Sequence, residues 1–123
     1  MRKFEKDRKL NFVDSNNVFV GFDYSSCCCE DFGYVLTTKE FCKDIHKENQ
    51  FKEELLCEYV FDTKYFEESD DCDDGGVVCF RLYSEHHSEH PAVFLYLYNF
   101  HNGYYSHGFT ANIGGTPWQE GHL

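Results

Sequence analysis

The stretch Ala92–His101, AVFLYLYNFH, constrains the fold more than any other part of the chain. Read as a strand, it turns Phe94, Tyr96, Tyr98 and Phe100 to one side and Leu95 and Leu97 to the other. Both faces are apolar, so both must be covered, as in a central strand. Val77–Ser84 (VVCFRLYS) alternates in the same way, with Val78, Phe80 and Leu82 on one face. Val18–Tyr24 (VFVGFDY) does so with Val18, Val20, Phe22 and Tyr24. Gly33–Thr37 (GYVLT) and Glu58–Tyr65 (EYVFDTKY) read as further strands.

Turn and breaker signals suggest how these segments connect. Asn102-Gly103 is a hairpin signal, so YYSHGFTANI is expected to return antiparallel to the 92–101 strand. A hairpin joining 18–24 to 33–37 would carry Cys27–Glu30 at or near its tip. After Thr37 and Thr38 the period changes. Phe41, Ile45, Phe51, Leu55 and Leu56 suggest one or two helical turns with a threonine as N-cap. FEESDDCDDGG, residues 66–76, reads as an acidic loop. The expected fold class is α+β, a mostly antiparallel sheet of about five or six strands with a short helical insertion. A length of 123 residues fits one domain. With 19% aromatic residues, a core can be built from few aliphatics.

Charge is unevenly distributed. The formal net charge is −11, which disfavours duplex DNA and anionic membranes and favours a basic protein surface as partner. Residues 1–9, MRKFEKDRK, hold five basic and two acidic side chains, about +3, which leaves about −14 on the remainder. Residues 1–17 are therefore expected to form a basic, flexible arm, with residues 18–123 as the single α+β domain. No N-terminal apolar region suggests a secretory signal, and no apolar run approaches a membrane-spanning length. A reducing cytoplasm is the expected compartment. There, seven cysteines read as metal ligands, buried small hydrophobes or redox centres before disulfides.

Two motifs point to a metal. CCCE, residues 27–30, and HNGYYSH, residues 101–107, together offer two Cys and two His. Cys28, Cys29, His101 and His107 would make a closed Cys₂His₂ zinc site that helps hold a small domain. Each motif alone is less specific. In an extended segment Cys28 points away from Cys27 and Cys29, so neighbours share an ion only where the backbone bends. A two-residue Asn-Gly turn puts His101 and His107 on opposite faces, whereas a three- or five-residue loop puts them on one face. The plain alternatives are a buried cysteine strand end and a hairpin with exposed histidines. Cys42 and His46, four apart, and His86, His87 and His90 are competing ligands. DDCDDG, residues 70–75, departs from a calcium loop, with Cys72 at the third position and Arg81 where the bidentate Glu belongs.

The acidic run Glu67, Glu68, Asp70, Asp71, Asp73 and Asp74 has a plain reading as a solvated loop. Its sharper reading is a mimic of phosphate spacing that occupies a groove built for nucleic acid. No G-x-S-x-G, phosphate-binding glycine loop or H-E-x-x-H is present, so a non-enzymatic protein is expected. The alternatives are a zinc hydrolase with an open coordination position and Glu30 as base, and a metal-free interaction module.

The stretch VGFDY…CCEDFGYVL…VVCFRLYS…FLYLYNFHNGYYSHGF, across roughly residues 18–110, resembles a family of small, uncharacterised proteins from bacteria and their phages. The shared motif residues are Cys28, Cys29 and Glu30, and then Asn102, Gly103, Tyr104, Tyr105 and Ser106; Cys27 is extra. The resemblance assigns no catalytic residue. It implies a phage or mobile-element setting and, by analogy, an anti-CRISPR-type inhibitor. Such a protein would bind a basic nucleic-acid-binding host protein such as Cas9 and block DNA loading.

Overall fold

The protein, seen here in a computed structural model, is described over residues 1–23, 31–38, 57–72, 75–86, 89–100 and 108–122. These residues form nine strands and no α-helix. The strands are β1 (Arg2–Lys6), β2 (Lys9–Val13), β3 (Val18–Asp23), β4 (Asp31–Thr37), β5 (Tyr59–Cys72), β6 (Gly75–Ser84), β7 (Val93–Phe100), β8 (Gly108–Ile113) and β9 (Thr116–His122). They build two sheets, β1-β2-β3-β8-β9 and β4-β7-β6-β5, and every pairing is antiparallel. The α+β expectation is thereby corrected: this is a two-sheet β protein, not one sheet of five or six strands with a helix. The helical turns expected within residues 39–56 lie outside the described residues.

The reason for two sheets is visible in the side chains. Phe12, Val20 and Phe22 of the first sheet share one core with Leu36, Val78, Phe80, Leu82, Leu95 and Leu97 of the second. Phe80 sits at its centre, with the rings of Phe61, Phe66, Phe109 and Trp118 at 6.2, 5.3, 6.5 and 5.8 Å. Phe109 and Trp118 belong to β8 and β9, so aromatic contacts join the sheets face to face. The outer face of the second sheet is buried as well. Val35, Cys79, Phe94, Tyr96 and Tyr98 form a second apolar cluster there. The both-faces-covered reading of 92–101 thus holds for β7, which lies between β4 and β6.

Residues 1–17, expected as a basic arm, carry β1 and β2. Leu10 and Phe12 are core residues, so β2 belongs to the packed body. Asp7 and Arg8 close the β1–β2 hairpin with φ of 56° and 63°, a primed turn built without glycine. Gly114 and Gly115, at 57° and 85°, close β8–β9 in the same way with the residue type such a turn favours.

Asp14, in the β2–β3 turn, ties the sheets together. Its Oδ1 accepts from the backbone N–H groups of Asn16 and Val18, both at 2.9 Å. Its Oδ2 accepts from the N–H of Phe61 at the start of β5, at 2.8 Å. The residue is buried, so these three donors replace the water that the carboxylate has lost. Asp14→Ala is expected to cost about 3 kcal/mol or more, because it leaves the buried N–H groups of Val18 and Phe61 unsatisfied. Asp14→Asn keeps an oxygen for the turn but turns an NH₂ towards the Phe61 amide, and is expected to fall between. Urea unfolding measures both, and an Asp14→Ala midpoint equal to that of the wild type would contradict this role.

Candidate functional site on strand β5 and the sheet-crossing ends

Strand β5 is the longest among the described residues and lies at the edge of the second sheet, paired with β6. It changes character midway. Phe61 pairs with Leu82 and Phe66 with Phe80, so residues 62–65 bulge opposite Arg81 alone. Asp62 holds this bulge. Its Oδ1 accepts from the Lys64 N–H at 3.0 Å, and its Oδ2 from Arg81 Nε at 3.0 Å and Arg81 Nη2. The Arg81 guanidinium also lies 5.0 Å over the Tyr65 ring, and that ring meets Phe94 edge-on at 5.7 Å.

An open groove of about 490 Å³ lies beside the bulge. Asn16 and Val18 contribute from the β2–β3 turn and Ile113 from the end of β8. Phe61, Thr63, Lys64 and Tyr83 contribute from the second sheet. Two hydrogen bonds fix its shape: Phe61 N–H to Asp14, and Gly114 N–H to the Asn17 carbonyl at 3.0 Å. The second half of β5 has a different chemistry. Residues 66–72, expected as a loop, continue the strand, with Glu67 opposite Cys79, Glu68 opposite Val78 and Cys72 opposite Gly75. Glu68 is exposed and Glu67 half-buried. Asp70 and Asp71 follow in the strand, and Asp73 and Asp74 lie outside the described residues.

The expected metal ligands Cys28, Cys29, His101 and His107 also lie outside the described residues, as do Cys27, Glu30, Cys42, His46 and His87. His86 and His90 are exposed. Among the described residues, no group of three or more His, Cys, Asp or Glu side chains is placed to hold a metal. The strands flanking the two motifs are informative, and they correct both expected hairpins. β3 and β4 belong to different sheets, and so do β7 and β8. Residues 24–30 therefore carry the chain from the first sheet to the second, and residues 101–107 carry it back. Because β7 and β8 do not pair, the length of a hairpin loop does not decide whether His101 and His107 share a face. The flanks of both segments nevertheless coincide: Phe22 pairs with Phe109 in the first sheet, and Asp31 pairs with Phe100 in the second. The β5–β6 tip lies at this same end, since Gly76 pairs with Asn99.

Sequence reasoning missed Asp14, Asp62 and the groove. Asp14 had a local signal, an Asp opening DSNN between two strands. Arg81 is the one cation in VVCFRLYS, a local signal for a partner carboxylate. Nothing local predicted that Tyr83 and Ile113, far apart in the chain, would meet beside the same groove.

Burial pushes the Asp62 carboxyl up, but the Lys64 amide and the Arg81 guanidinium outweigh it and hold the group below the ordinary value of 3.8. Its stabilising contribution is therefore complete above 3.8 and is lost as the pH falls through the lower folded value. Arg81 is partly exposed, so the contribution is about 1 kcal/mol or less. The stability gap between wild type and Asp62→Asn, from urea unfolding, is expected to be constant from pH 7 to 5 and to close in strong acid. A gap that widens in acid would contradict the ion pair.

No helix among the described residues is long and apolar enough to cross a membrane. No family model, curated protein or solved structure matches the chain, so the functional reading rests on its own residues and strands.

Proposed function

We propose that this protein is a non-catalytic inhibitor that binds a basic, nucleic-acid-binding protein along the acidic half of β5. The observation that carries the reading is the position of that half: Glu67, Glu68, Asp70 and Asp71 lie on one edge strand. A strand rises about 3.3 Å per residue. The phosphates of one DNA strand are spaced about 3.4 Å along the helix axis. Neighbouring residues of a strand alternate faces, so carboxylates on one face recur about every 6.6 Å, twice the axial phosphate spacing, and the edge offers a dense row of negative charge rather than a replica of the backbone. The plain function of charges on an edge strand is to block edge-to-edge pairing, and both roles are compatible. The setting proposed is the cytoplasm of a bacterial host, with a CRISPR effector such as Cas9 as one partner of this chemistry.

Zinc belongs to the same proposal. A Zn²⁺ held by Cys28, Cys29, His101 and His107 would staple the two sheet-crossing segments at the end where the β5–β6 tip lies. The support is the shared position of their flanks, Phe22 beside Phe109 and Asp31 beside Phe100.

Two measurements test the two halves separately. Replacing Glu67, Glu68, Asp70 and Asp71 by Gln and Asn is expected to weaken binding to a basic DNA-binding protein at least about tenfold at low salt, and added salt is expected to weaken the wild type. Binding indifferent to both would overturn the charge-mimic half. Elemental analysis of the purified protein is expected to find one zinc per chain, reduced in Cys28→Ser and His107→Ala. A zinc-free protein whose melting temperature ignores chelator would remove the metal half.

A further inference from the structure

The groove at the other end of β5 has features that the acidic-edge reading does not use. Tyr83 and Ile113 are the large apolar side chains most exposed among the described residues, at 46% and 39%. They come from different sheets, yet both line this groove. Exposed apolar groups that converge on a concave surface mark a binding site more often than scattered ones do. The charge of the groove is also unlike that of the molecule. Asp62 is held by Arg81 and also feels the charge of the exposed Lys64, so two cations face one carboxylate at the rim of a strongly acidic protein. The strand beside it is irregular, because residues 62–65 leave the regular ladder with β6. The floor is firm, set by the Asp14–Phe61 and Asn17–Gly114 hydrogen bonds.

We propose that this groove receives an extended peptide segment of a partner protein, with an apolar side chain between Tyr83 and Ile113 and an adjacent acidic side chain on Lys64. An open groove suits a peptide better than a free small acid, because small ligands are held where most of their surface can be buried. The preferred partner charge is opposite to that of the acidic half of β5, so the two contacts can be told apart.

Amide-resolved NMR titration with blocked tripeptides tests the proposal. The acetylated, amidated peptide Leu-Glu-Leu is expected to shift the amides of Asn16, Thr63, Lys64, Tyr83 and Ile113. Its Leu-Gln-Leu counterpart is expected to bind about fivefold more weakly, the loss of one exposed ion pair. Lys64→Gln should abolish that preference while leaving the apolar contact, and Tyr83→Ser should weaken both peptides. Both positions are exposed, so unchanged thermal unfolding of the variants shows that the fold is intact. Equal binding of the two peptides, shifts confined to residues outside the groove, or tighter binding of N-acetyl-leucine than of the tripeptide would each overturn the proposal. Neutralising Glu67 and Glu68 should leave these titrations unchanged. Sensitivity to that change would assign the peptide contact to the acidic edge instead.

Discussion

The carboxylate of Asp14 is the constraint on which the arrangement of the two sheets depends. Apolar packing holds them together but is nearly indifferent to small slides of one sheet over the other. A buried carboxylate that accepts three backbone N–H bonds is not indifferent. It fixes the β2–β3 turn through Asn16 and Val18 and the start of β5 through Phe61. Phe61, which it anchors, pairs with Leu82 immediately before the 62–65 bulge. The Asn17 carbonyl extends the same joint to the β8–β9 turn through Gly114. One side chain thus aligns the three parts of the protein that border the groove.

The edges of the sheets are handled by charge. β5 ends in carboxylates, and β1 carries Arg2, Lys3 and Lys6. Lys3 pairs with Phe12, a core residue, and so starts from the inner face at the sheet's edge. Its ammonium donates to the Tyr34 hydroxyl at 2.8 Å and lies 5.1 Å from the ring centroid. A charge that points inward on an edge strand makes pairing with another strand costly. Lys3–Tyr34 links β1 to β4, whereas Phe66 and Phe109 link β5 to β8.

The strands were more legible than their partners. Alternation in VFVGFDY, VVCFRLYS and AVFLYLYNFH marked β3, β6 and β7 and the faces that became core, because period-2 burial is a local property. Sheet membership is not local. CCCE and HNGYYSH both suggest hairpins between neighbouring strands, but a connection of seven residues also suffices to cross from one sheet to the other. β1 and β2 were hidden by the charges of MRKFEKDRK and by an Asp-Arg turn without the usual Gly or Asn. The end of β5 was hidden for a related reason. Acidic residues have poor strand propensity, and an edge strand tolerates them because part of it faces water. As for the candidate site, the acidic residues and the Cys/His pairs were legible as chemistry. The groove was not, since Tyr83 and Ile113 come from different sheets and meet only in the folded chain.

The two ends of the molecule are secured by different means. Asp14 pins the end where β5 starts, with a carboxylate that any folded copy of the sequence carries. The opposite end is joined by the chain itself, which crosses between sheets twice, at 24–30 and at 101–107. Packing of Phe109 on Phe66 and Phe80 sets the sheet separation near that end, but no polar joint like that of Asp14 occurs there among the described residues. A metal bound across the two crossings would supply what Asp14 supplies at the other end, a short polar joint of defined geometry. It would act at the end where Gly76 pairs with Asn99, so the metal proposed from Cys28, Cys29, His101 and His107 and the acidic surface proposed from Glu67–Asp71 would be physically coupled. A firmer end presents its carboxylates with less conformational entropy to lose on binding, which is how a site that never touches the partner can raise affinity for it.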